Sequence, residues 1–260
     1  GYAQEGQGHE ALICFEHMKN EGFFPDSITF ICLLKACGII GDLNKGKEIH
    51  ETIVNMGLLN KDLILGNALV DMYVKCGMLI IARGVIDVLY ERNEVTWNTL
   101  IAGYYEHEQY HDAVNTFDEM RSEGFSPDSI TFTCILKIFG KIGAIDNGKQ
   151  IYVDIVTQGF MKEKRDIVLG TALLDMYAKC GFLTKAKLIL EELPIRDVVT
   201  WNSLITAYVQ QGKCQEALDC FEQMQCEGIT PDEVIFTCIL KACGIFGAID
   251  KGKQIHNKVE

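Results

Sequence analysis

The sequence is poor in the residues that break helices, in positive charge and in the signatures of catalysis. Proline occurs four times in 260 residues, and three of the four (Pro25, Pro127, Pro231) share the setting Gly-x-x-Pro-Asp. Long helical segments can therefore run between them. No apolar run approaches the roughly 18 residues a membrane span requires. The 24 Lys and Arg are outnumbered by 36 Asp and Glu, leaving a net charge of −12, which argues against a uniformly basic nucleic-acid-binding surface. No C-x-x-C pair and no H-x-E is present, so the zinc-and-glutamate set of a nucleobase deaminase is missing. No phosphate-binding loop or serine-hydrolase elbow occurs, and no zinc-peptidase helix is expected. The residues predict no catalytic activity, no cofactor and no metal within this chain. Because the chain opens at Gly1 in mid-pattern, it is expected to be a piece of a longer protein.

What the sequence does have is repetition. Asp71-Met72-Tyr73-Val74-Lys75-Cys76-Gly77 returns 104 residues later as Asp175-Met176-Tyr177-Ala178-Lys179-Cys180-Gly181. Thr96-Trp97-Asn98 returns as Thr200-Trp201-Asn202, again after 104. Each long period divides into three repeats. One kind spans 94–128 and 198–232, a second spans 27–62 and 129–166, and a third spans 63–93 and 167–197. Residues 1–26 are the tail of the first kind and 233–260 the start of the second.

Each repeat reads as two helices. Ala113, Val114, Phe117 and Met120 fall on one side of a 3.6-residue helix and are matched by Ala217, Leu218, Phe221 and Met224. Glycines such as Gly77, Gly143, Gly181 and Gly247 fall where a helix must stop and turn. One hairpin cannot bury its apolar stripe alone, so neighbours must stack. The expected fold is an all-α solenoid of helix-turn-helix repeats over the whole chain. Nine of the eleven cysteines recur at equivalent places in the repeats, which predicts core packing in a reducing compartment without disulfides. Trp97 and Trp201 are read as core residues rather than stacking platforms. His50 and His256 have Tyr152 as their counterpart, which predicts packing rather than metal binding.

At these residues, together with Gly252-Lys253-Gln254-Ile255-His256 and Gly-x-x-Pro-Asp, the sequence resembles the pentatricopeptide repeat family. The resemblance is to the plant-type arrays that alternate three motif lengths (P, L and S). It implies binding of single-stranded RNA at about one nucleotide per repeat, read by the fifth and the last residue of each. Those residues are Asn67 with Asn93, Asn98 with Asp128, Thr171 with Asp197, and Asn202 with Asp232. By the family's code they look like readers of cytosine, uracil, guanine and uracil. Thr133 with Asp166 occupies the same places in a longer repeat whose kind follows the code poorly, and Ile31 with Asp62 offers no polar fifth side chain. The second residue is implied to wedge between bases, notably Ile64, Val95, Val168 and Val199, as well as Ile28, Ile130 and Val234. Lys75 and Lys179 are candidates for phosphate contact. The resemblance further implies the recognition tract of an organellar RNA-processing or C-to-U editing factor in mitochondrion or chloroplast, with editing-complex proteins as further partners.

Two alternatives stay open on the residues alone. The terminal Asp or Asn of each repeat precedes a helix and equally suits an N-cap. The whole array equally suits a protein-binding scaffold. Charge is unevenly spread: the 35-residue repeats and residues 1–26 hold −15 and the remainder +3. Much of that acid is expected on second helices, away from the side the resemblance assigns to RNA.

Overall fold

Apolar residues at helical spacing, with proline kept out of the segments between, fold the described residues into helices joined by short turns. The computed structural model describes residues 8–59, 61–160, 167–249, 252, 253 and 255, and these form fourteen α-helices and no strand. Second helices of the repeats are α1 (Gly8–Asn20), α3 (Leu43–Asn55), α5 (Leu79–Val88), α7 (Tyr110–Ser122), α9 (Ile145–Thr157), α11 (Leu183–Glu192) and α13 (Cys214–Cys226). First helices are α2 (Ser27–Ile40), α4 (Leu63–Lys75), α6 (Glu94–Glu106), α8 (Ser129–Ile142), α10 (Ile167–Lys179), α12 (Val198–Gln210) and α14 (Glu233–Phe246). Every first helix begins on the first residue of a sequence repeat.

The start of each first helix has a local cause. Asp26, Asp62, Asn93, Asp197 and Asp232 sit at the N-cap, each accepting a free backbone N–H of the first turn. At α6 and α12 a threonine three residues on, Thr96 or Thr200, returns a bond to the cap's own N–H and completes a capping box. Between first and second helices the chain reverses through a left-handed residue, glycine at Gly77 (φ 72°) and Gly181 (φ 87°). The α6–α7 turn places Glu108 there (φ 59°), where its copy has Gly212 (φ 71°).

The chain divides into two compact bodies, residues 1–131 and 132–260. In the first, α2 packs on α4 and α4 on α6, with α3, α5 and α7 each against the first helix of its own hairpin. In the second, α10, α12 and α14 form the same kind of layer, backed by α11 and α13. The cores are apolar and closed: Leu65, Leu69, Leu169, Leu173, Trp97 and Trp201 are fully buried. The Gly-Lys word in α3 and α9 has a packing reason. A Cβ on Gly46 would lie 2.6 Å from the Met72 sulfur, and one on Gly148 2.6 Å from that of Met176. Each second helix thus admits the methionine of the next repeat's first helix.

The cysteine expectation needs correction. Cys37, Cys214, Cys220 and Cys243 are buried, but Cys14, Cys32 and Cys226 are exposed. Cys220 lies near Lys187 and Glu191 of α11, whereas the equivalent Cys14 on α1 is exposed.

Candidate nucleic-acid interface

The candidate readers occupy the first helices, one turn in from the cap. Because first helices pack side by side, the fifth residue of one comes against the cap of the next. Asn67 Nδ2 donates to Asn93 Oδ1 (3.3 Å), Asn98 Nδ2 to Asp128 Oδ2 (3.0 Å) and Asn202 Nδ2 to Asp232 Oδ2 (2.7 Å). All six side chains are half-buried. The fourth pair is not joined in this way. Thr171 donates its hydroxyl to the Ile167 carbonyl (2.7 Å), and Asp197 is exposed.

Capping and pairing share the same side chain without conflict. In Asp128, Asp197 and Asp232 the Oδ1 atom accepts the cap N–H, from Thr131 (2.8 Å), Thr200 (2.9 Å) and Ile235 (2.9 Å). Oδ2 is left for something else, and in Asp128 and Asp232 it takes the asparagine. Asn93 also caps through Oδ1, on Thr96 N (3.1 Å), so its remaining group is an NH₂ donor. The terminal residue therefore offers an acceptor where it is Asp and a donor where it is Asn. A third residue joins two of the three pairs. Thr96 donates to Asn67 Oδ1 (2.6 Å) and Thr131 to Asn98 Oδ1. At Asn202 the corresponding residue is Ile235, and Asn202 Oδ1 is buried without a partner.

The second residues lie exposed beside these pairs. Ile28, Ile64, Val168 and Ile130 keep 70%, 67%, 65% and 62% of their surface, and Val95, Val199 and Val234 just over half. Large β-branched side chains left in solvent at the same place in every repeat form an apolar series that the described residues leave uncovered. Lys75 and Lys179 are exposed, but each reaches back one turn, to Asp71 (2.8 Å) and Asp175 (2.6 Å). Asp-x-x-x-Lys is the spacing for such a pair, so this was available in the sequence. Asp175 and Lys179 line a shallow groove together with Asn202, Ser203 and Thr206.

Other candidates lie elsewhere. Thr133 is buried, at 8% exposure, which sets it apart from the other fifth residues; its companion Asp166, like His256, lies outside the described residues. Trp97 and Trp201 have no exposed surface and cannot stack on a ligand. His50 Nδ1 stands 2.9 Å from the Tyr73 hydroxyl, and burial holds its pKa below the ordinary value. The letters H-E-x-x-H do occur, at His107-Glu108-Gln109-Tyr110-His111. A metal needs both histidines on one face of one helix, but His107 ends α6, Glu108 is left-handed and α7 starts at Tyr110. Among the described residues no cluster of three His, Cys, Asp or Glu could hold a metal ion.

The acid is on second helices. Asp112, Asp118 and Glu119 lie on α7, and Glu216, Asp219 and Glu222 on α13. Part of it is paired: Arg83 of α5 bonds Glu119, and Arg92 bonds Glu123. The reader row is on first helices.

Comparison with known proteins points one way. The model of the PPR repeat family matches residues 1–38, 92–141 and 196–244, and a PPR repeat model matches 171–198. Among curated relatives, a pentatricopeptide repeat-containing protein of Arabidopsis thaliana is 35% identical over 97% of this chain and 34% of its own length. A second from that plant, named mitochondrial, is 36% identical over 100% of this chain and 25% of its own. A third, named chloroplastic, is 33% identical over 98% and 29%. The chain thus spans about a quarter to a third of the length of these relatives. In fold it is similar to the crystal structure of the pentatricopeptide repeat protein PPR10 from maize, with a TM-score of 0.78 at 19% identity over 99% of this chain and 37% of that one. The structure of PPR10 in complex with an 18-nt psaJ RNA element gives a TM-score of 0.79 at 23% identity, covering 93% and 36%. This chain, an all-α array of helical hairpins, belongs to the pentatricopeptide repeat family.

Proposed function

We propose that this chain binds single-stranded RNA in a base-selective way, about one nucleotide per repeat. Asn67/Asn93, Asn98/Asp128, Thr171/Asp197 and Asn202/Asp232 are the readers, and Ile64, Val95, Val168 and Val199 the apolar wedges between bases. The observation that carries the reading is the cap geometry. Since Oδ1 is committed to a helix N-terminus, the terminal residue has one group left to show. For Asp that group can only accept, which suits bases whose Watson–Crick edge carries a ring N–H, namely uracil and guanine. For Asn93 it is a donor, which suits a bare ring nitrogen, as in cytosine. Single-stranded bases expose that edge. This chemistry agrees with uracil for the two Asn/Asp repeats, guanine for Thr171/Asp197 and cytosine for Asn67/Asn93.

PPR10, a neighbour in fold, is held in one structure with an RNA element, and the exposed second residues supply a surface for unstacked bases. Lys75 and Lys179 meet phosphate only by releasing Asp71 and Asp175, so they add little affinity. Relatives named mitochondrial and chloroplastic support work in one of those organelles, with this tract guiding an RNA-processing or editing activity located elsewhere. Binding to a random pool of single-stranded RNA, followed by sequencing of the retained fraction, tests the proposal. Enrichment of uracil, guanine and cytosine at the assigned places is expected. Retention without any base preference, or retention of peptides alone, would favour the protein-binding scaffold.

A further inference from the structure

We infer that the third residue of the following repeat positions the reader amide, so that Asn98 and Asn202 are unequal readers. The inference rests on the RNA reading above and refines it. Both asparagines are the fifth residue of the same kind of repeat, and both face a terminal aspartate. A carboxylate can only accept, so each amide must turn Nδ2 toward it. That leaves Oδ1 pointing at the third residue of the next first helix. At Asn98 this residue is Thr131, whose hydroxyl is within bonding distance of Asn98 Oδ1 and of Asp128 Oδ1 (2.8 Å) while accepting the Asp128 N–H (3.2 Å). Thr96 does the same for Asn67. At Asn202 the place is taken by Ile235, fully buried, and Asn202 Oδ1 is enclosed with no partner.

An enclosed acceptor without a donor is unfavourable. Turning the Asn202 amide brings Oδ1 out to water but breaks the Nδ2 bond to Asp232 and swings Nδ2 into the enclosed place, so neither orientation satisfies both ends. It therefore exchanges between two orientations, whereas Asn98 is held at both ends of its amide. A held amide presents one edge to a base, and an exchanging one presents two. The nucleotide read by repeat 94–128 is therefore selected more sharply than the one read by repeat 198–232.

The test uses the chain as it is, with RNAs that differ in a single nucleotide opposite one repeat or the other, at fixed salt. Thr131→Val should lower uracil preference opposite repeat 94–128 by about threefold to tenfold, the scale of one net hydrogen bond. Thr131→Ser should keep it. Ile235→Thr should raise uracil preference opposite repeat 198–232 by a similar factor, and each variant should leave the other nucleotide's preference unchanged. A purely structural role would weaken all four RNAs alike without changing their ratios, and unchanged ratios in every variant would overturn the inference. Should Ile235→Thr fail to fold, the Val and Ser variants of Thr131 decide. Should wild type rank the four bases equally at both places, the RNA reading itself fails. The side-chain amide NMR signals of the RNA-free protein then judge the positioning: Asn98 sharp and Asn202 broadened, with Thr131→Val broadening Asn98. Equal line widths would overturn it.

Discussion

Truncating Asn98 to Ala should destabilise the protein, while the same truncation at Asn202 should leave stability almost unchanged. Asn98 donates to the Asp128 carboxylate and accepts from Thr131. Hydrogen bonds to charged groups are worth about 1.5–3 kcal/mol and neutral ones about 0.5–1.5. Asp128 is half-exposed, and Thr131, though buried, keeps its bond to Asp128 Oδ1 when Asn98 is lost, so the low ends apply and the loss is roughly 2 kcal/mol. Asn202 makes one such bond, to Asp232, and also holds a buried oxygen with no donor. Removing that oxygen returns about 1–3 kcal/mol, enough to cancel the lost bond. The better helix propensity of Ala favours both variants equally, by about 0.5 kcal/mol, so the difference between them remains. Urea unfolding of both variants beside wild type, read as midpoint shifts at constant slope, measures that difference. Equal shifts, or a larger one for Asn202→Ala, would refute the assignment of the amide partners.

Two further outcomes follow from packing and burial. Gly103 of α6 faces Val74 of α4, where a new Cβ would lie 2.5 Å from a Val74 methyl; Gly103→Ala should cost about 1–3 kcal/mol as overpacking against a stiff side chain, whereas Gly84→Ala, with open space around it, should stabilise α5 by about 0.5–1 kcal/mol, both measurable by thermal melting. Burial pushes the Cys37 thiol up to about 12 and the Cys220 thiol up to about 11, so at pH 8 both stay protonated while exposed Cys14, Cys32 and Cys226 react; timed thiol labelling with peptide mapping should find those three first, and early modification of Cys37 or Cys220 would contradict the burial.

Much of the fold was legible because each cause is local. An Asp or Asn before an apolar helix, a glycine at the reversal and a 104-residue echo are all visible in the letters, and first helices begin where the repeats do. The exposed β-branched second residues were equally readable, since each directly follows the first residue of a helix and recurs in every copy. The pairing of Asn98 with Asp128, and the loss of its third member at Ile235, could not be read that way. It depends on two first helices lying side by side, 30 or more residues apart in sequence, and only packing brings Thr131 to the amide oxygen. The H-E-x-x-H letters show the reverse failure: the spacing is there, but a left-handed Glu108 divides it between two helices.

The central claim is that Asn98, Asn202 and Thr171, each with its terminal Asp, select bases. Exchanging residues 171 and 202 tests it most directly. Thr171 bonds its own helix and leaves Asp197 without an amide, whereas Asn202 covers the Asp232 carboxylate, so the two sites differ in their polar edge and in the third residue of the following helix, Thr200 against Ile235. The measurement is the binding of wild type, Asn202→Thr and Thr171→Asn to short RNAs varied at the two assigned nucleotides, at one salt concentration. Asn202→Thr should shift preference from uracil toward guanine, and Thr171→Asn from guanine toward uracil. Each shift should be about 1–3 kcal/mol, on the scale of a good base-edge contact. If both variants bind all the RNAs in the wild-type order, these side chains do not read bases and the account is wrong.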